Sequence, residues 1–142
     1  MFVGHFAAGF AGKRFAPRVS LGTLILAGAF ADLLWIIFFL MGVERVVIQP
    51  GFMAANSLNL VYVPFSHSLL MDIVWGAVFG GIYYRGAGIL FAVVLSHWLL
   101  DFIVHSPDMA IAPGIDARFG LGLWNSQSTP SFLPSSNCGP TG

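Results

Sequence analysis

The chain has 142 residues, 57% of them hydrophobic and 8% charged, with six basic and six acidic side chains and no net charge. A soluble domain carries about 25% charged residues to cover its surface in water, so lipid is the natural solvent for much of this exterior. The charge balance excludes the basic footprint of a nucleic-acid binder. The single cysteine, Cys138, excludes an intramolecular disulfide.

The first apolar stretch, Met1 to Gly12, is too short to cross a bilayer, which takes about 20 residues. It predicts an interfacial helix or a half-helix dipping into the membrane. Lys13, Arg14 and Arg18 follow it, whereas a secretory signal carries its basic residues first. A first span is predicted from about Leu21 to Gly42, then a loop, Val43 to Asn59, broken by Pro50 and Gly51. A second span is predicted from about Leu60 to Tyr83 and a third from about Gly86 to Val104, where Ser106-Pro107-Asp108 stops the helix. From Ser126 the chain becomes rich in Ser, Pro and Gly, which predicts a disordered polar tail. The expected fold is all-α: an integral membrane bundle of about three spanning helices plus a short N-terminal helix, over residues 1–125, followed by the tail over 126–142. Lys13, Arg14, Arg18 and Arg85 fall on one side with no acid beside them, which predicts a cytoplasmic N-terminus in a multi-pass membrane protein.

Ionisable side chains interrupt all three predicted spans. Asp32 sits in the first, Asp72 in the second, and His97 and Asp101 in the third, with His105 at its end. A charge at mid-bilayer costs at least about 2.5–3.5 kcal/mol, so each needs a partner. No Lys or Arg lies between Leu21 and Gly42, between Leu60 and Tyr84, or between Gly86 and Ala117. Histidine and metal ions remain as cationic partners; failing these, the carboxylates stay protonated and hydrogen-bonded.

His97, Asp101 and His105 recur every four residues and so rise along one helix face. At about 1.5 Å per residue, Asp32, His67, His97 and Asp101 fall about 16–22 Å from the cytoplasmic edge, and a half-helix brings His5 about 12 Å deep. Five residues, His5, Asp32, His67, His97 and Asp101, therefore supply nitrogen and carboxylate donors suited to one or two divalent transition-metal ions, zinc foremost. Asp72 is the candidate general base, or a group supporting a ligand or bonding Ser68. Blander readings stand beside these: a hydrogen-bonded His97–Asp101 pair gluing helices, a protonated packing Asp32, an interfacial His67, a terminal His5, a solvated His105 and an Asp108 in a turn. The glycines of the Trp75–Gly81 run predict close helix packing.

Gly4-His5, the mid-span Asp32, the Ser66-His67-Ser68-Leu69-Leu70 run and the His97-x3-Asp101-x3-His105 run together resemble the predicted membrane-bound metal-dependent hydrolases, the YdjM-like inner-membrane proteins. The resemblance spans about Met1 to Asn125 and implies that His5, Asp32, His67, His97 and Asp101 are metal ligands. Many such proteins have Pro-Asp-x-Asp where this chain reads Ala31-Asp32-Leu33-Leu34, which weakens the case for two metals. They also continue into further apolar helix beyond the equivalent of Asn125, so an incomplete bundle is expected here.

The expected function is metal-dependent hydrolysis at a membrane-buried site, with the lipid bilayer as partner, an amphipathic or lipid-like substrate, and room for a homo-oligomer. The alternative is a non-enzymatic transporter or permease component using the same residues to relay protons or ions.

Overall fold

The computed structural model describes residues 2–48 and 58–123. The expected loop break at Pro50 and Gly51, Cys138 and the tail over 126–142 lie outside the described residues. Among the described residues five helices run α1 (Phe2–Phe15), α2 (Leu21–Gly28), α3 (Phe30–Leu40), α4 (Leu69–Ile82) and α5 (Ala87–Val104). Two small antiparallel sheets join them, and the protein is mostly helical: β1 (Arg45–Ile48) pairs with β2 (Leu58–Tyr62), and β3 (Met109–Ala110) with β4 (Arg118–Phe119).

Only α5, among the described residues, is by itself long and apolar enough to cross a membrane. The expected first span is broken. Ser20 caps α2 by accepting from the Thr23 N–H at 3.0 Å, and the chain bends by 53° at Ala29, between α2 and α3. The reason is a close approach: a Cβ on Gly28 would lie 2.5 Å from the His5 carbonyl oxygen, so α1 packs backbone to backbone against this point. The expected second span also starts late. Pro64 lacks an N–H and pushes Val63 away from helical geometry, and the helix begins only after Ser68, whose hydroxyl accepts from Met71 N–H. This leaves α4 with 14 residues in place of the 24 expected from Leu60 to Tyr83.

The apolar core lies between α1, α2, α4 and α5, around Leu24, Ala27, Phe79, Leu90, Val93 and Val94. Gly80 permits the α4–α5 approach, since a Cβ there would lie 2.9 Å from the Ala87 carbonyl oxygen. Beside this apolar core the chain buries histidines and acids and exposes large apolar side chains. Four histidine and aspartate side chains, His5, Asp72, His97 and Asp101, are at most 2% exposed, as are Glu44, Ser66 and Ser68. Meanwhile Ile36, Ile37 and Leu40 on α3, Val74, Val78 and Ile82 on α4, and Leu99 on α5 face outward.

Candidate metal centre

Four segments of chain bring the site together. The bend at Ala29 makes Asp32 a first-turn residue of α3, where the positive end of the helix favours a carboxylate. His97 and Asp101, four apart on α5, lie on its buried face. Their side chains meet, with His97 Nε2 3.4 Å from Asp101 Oδ2. α1 contributes His5, fully buried, its ring stacked on that of His97 at 3.7 Å and 10°. The turn after β2 contributes His67.

The donors alternate around a closed ring. His67 Nε2 lies 3.6 Å from Asp32 Oδ1 and 3.9 Å from Asp101 Oδ2, while His97 Nε2 lies 3.7 Å from the same Asp32 oxygen. His5 Nε2 reaches the other oxygen of Asp101, Oδ1, at 3.3 Å. A tetrahedral ion bonded at about 2.0–2.2 Å sets its donors about 3.4 Å apart, so these spacings match what a metal ion needs. The donors fall into two overlapping groups that can hold a metal ion, His5–His97–Asp101 and Asp32–His67–His97, with His97 common to both.

Both central histidines are held with Nε2 toward the carboxylates. His97 Nδ1–H donates to the Gly28 carbonyl at 2.8 Å, and its buried Nε2 makes no hydrogen bond among the described residues. His67 is held by a relay. Glu44 Oε1 accepts from the N–H groups of Phe65 and Ser66 at 2.9 and 2.8 Å, and Oε2 accepts from the Ser66 hydroxyl at 2.6 Å. With its only hydrogen given to Glu44, the Ser66 oxygen can only accept from His67 Nδ1–H, at 2.8 Å. Each imidazole thus presents a lone pair at Nε2, the form a metal ligand requires. The fit to a metal rests on this donor set and on the orphaned Nε2 of His97.

Glu44 falls in the predicted loop, outside every apolar segment. It lies 22 residues from Ser66, and what joins them is the β1–β2 pairing: Arg45 opposite Tyr62 puts Glu44 level with the turn that follows β2. A carboxylate just beyond an apolar segment and ahead of a β-rich run was the available signal.

Asp72 is the residue expected to act as general base or to support a ligand. It is buried at 1% exposure, but it is not among the donors that meet at the centre. Its Oδ2 accepts from the Trp98 N–H at 3.2 Å, so it braces the α5 backbone one residue past His97. It makes no side-chain bond to Ser68, whose hydroxyl caps α4 instead. Asp108 lies in a turn, as expected, while His105 is buried where a solvated terminus was expected, and its Nδ1 lies 3.5 Å from the buried Asp108 Oδ2, apart from the five-residue cluster. No family model, curated protein or solved structure matches this chain.

Proposed function

We propose that the protein is a membrane-embedded metal-dependent hydrolase whose ion is held by His5, His67, His97, Asp32 and Asp101. The observation that carries this reading is the pair of histidines, each fixed at Nδ1 by a buried acceptor and each turning Nε2 toward shared carboxylates. Isolated helix-gluing pairs have no need of that second layer of hydrogen bonds. The apolar side chains facing outward on α3, α4 and α5, with acids buried within, support a lipid setting. In that setting α2 and α3 form one bent span and α5 another, with α1 and α4 as shorter companions and the N-terminus on the cytoplasmic side.

A divalent ion, zinc by its preference for nitrogen and carboxylate donors, would acidify a water molecule and polarise the electrophilic centre of the substrate. The chain itself supplies the proton transfers. Asp32 is the most accessible of the carboxylates at the centre, at 13% side-chain exposure against 3% for Asp101. Its Oδ2 makes no hydrogen bond among the described residues. Asp32 takes the role first expected of Asp72: it accepts a proton as water oxygen bonds to the acyl or phosphoryl centre, then returns it to the leaving oxygen as that bond breaks. A centre buried at membrane depth suits an amphipathic ester.

Elemental mass spectrometry on detergent-purified protein tests the reading. Wild type is expected to carry a near-stoichiometric transition metal, and His97→Ala and Asp101→Ala to lose at least 90% of it, by about the 10- to 100-fold or greater drop that ligand loss brings. Metal-free wild type after supplementation would transfer the assignment to a proton relay through the same residues.

A further inference from the structure

The basic end of the molecule carries a second feature, built from parts the metal centre does not use. Lys13 is committed to shaping the α1–α2 loop: its Nζ donates to the carbonyls of Pro17 and Val19 at 2.9 and 2.6 Å. That loop carries Arg18, and the α4–α5 turn carries Arg85. The two arginines line one cavity of about 560 Å³, with Phe15 and Ile89 as its apolar wall. A neighbouring cavity of about 240 Å³ shares both arginines and adds Ser20 and Thr23. Neither arginine has an acidic partner among the described residues; Arg85 lies over the Tyr84 ring at 5.9 Å.

An apolar groove of about 220 Å³ continues from the larger cavity between α1 and α5. Phe15 and Ile89 line both, and beyond them the groove is walled by Ala8, Ala11 and Ala92. Its far end is at Ser96, whose hydroxyl is already spent on the Val93 carbonyl at 2.6 Å. From Ile89 to Ser96 the helix rises about 10 Å, at about 1.5 Å per residue. Small side chains thus leave an apolar trough beside two arginines without an acidic partner among the described residues. Arginine meets phosphate oxygens through paired N–H donors, and a trough without unmet polar groups takes methylenes. A free phosphate would use only the upper part; an amphiphile with an anionic head uses both.

We propose that this end binds an anionic phospholipid, with its phosphate between Arg18 and Arg85 and one acyl chain in the α1–α5 groove. The assignment rests on reading this end as the membrane–water boundary, and it is independent of whether the centre holds metal.

Native mass spectrometry of the full chain released from detergent tests it, with phosphatidylglycerol, phosphatidylcholine or inorganic phosphate added. Phosphatidylglycerol should remain bound where phosphatidylcholine does not. The double variant Arg18→Gln/Arg85→Gln should lower its retention by about tenfold or more. Ala92→Trp, at an exposed position that leaves the charge intact, should lower it as well by filling the trough. Unchanged helical circular dichroism in the variants assigns these losses to the pocket. Equal retention of the two lipids, full retention by the arginine variant, or displacement of the lipid by inorganic phosphate with no effect of Ala92→Trp would each overturn the proposal. The metal assay reads the other site separately.

Discussion

His67 and His97 face the same two carboxylates but are aimed by different regions of the chain. His97 is set by backbone: the carbonyl of Gly28, at the break between α2 and α3, accepts from its Nδ1. His67 is set by side chains, through Ser66 to Glu44. A backbone acceptor cannot be removed by substitution, only displaced, and displacing it moves packed helices. A side-chain relay can be rewired without moving any of them. One arm therefore ties the site to the stability of the fold, while the other tunes it.

Gly28→Ala breaks the first arm and should have the largest effect. The new Cβ would lie 2.5 Å from the His5 carbonyl oxygen, which is backbone and cannot swing aside. α1 must retreat, taking His5 from Asp101 and altering the acceptor of His97. Overpacking of this kind costs about 1–3 kcal/mol. A fall in the thermal midpoint together with near-complete metal loss is expected. A variant that melts like wild type with full metal would show that the contact between α1 and the break does not aim the histidines.

Glu44→Gln breaks the second arm and leaves the packing alone. The Gln oxygen still accepts from the N–H groups of Phe65 and Ser66, but its amide now donates to the Ser66 oxygen. Ser66 then gives its own hydrogen to His67 Nδ1, which moves the imidazole hydrogen to Nε2 and aims it at Asp32 and Asp101. Metal affinity should fall about 10- to 100-fold with helicity unchanged, and the nitrogen chemical shifts of His67 should report the exchanged tautomer. Wild-type affinity in this variant would reduce the relay to a structural clasp.

The contrast also explains what could be read from the sequence. Acids and histidines without Lys or Arg inside apolar segments announce a cluster, because burying them alone is too costly, and the four-residue spacing of His97 and Asp101 places both on one face. What orients them could not be read so. Gly28 acts through its carbonyl and its missing Cβ, and neither leaves a pattern in hydropathy. Glu44 reaches Ser66 only because two short strands pair across residues that look like loop. The same gap accounts for the spans: Leu21 to Gly42 is continuous in hydropathy, yet the chain bends where α1 presses on a glycine, and Pro64 delays α4 within what reads as one apolar run. Asp72 shows the converse, an acid at the right depth whose helix turns it to the Trp98 backbone.

The smallest effect on the centre belongs to the third rung of the α5 ladder. Spacing alone gives His105 the same standing relative to Asp101 that Asp101 has relative to His97. Its neighbours differ. α5 ends at Val104, and His105 is extended, with ψ of 152°, as the cap. Its ring turns to Asp108, 3.5 Å away, and its carbonyl accepts from the Gly122 N–H at 2.7 Å. His105→Asn should therefore keep the full metal content and affinity of wild type. It should still lower stability by about 1–3 kcal/mol, since the buried Asp108 carboxylate loses the imidazole facing it. Elemental analysis and a melting curve on the same preparation separate the two effects: metal lost without any change in melting would place His105 in the centre and extend the site one turn toward the end of α5.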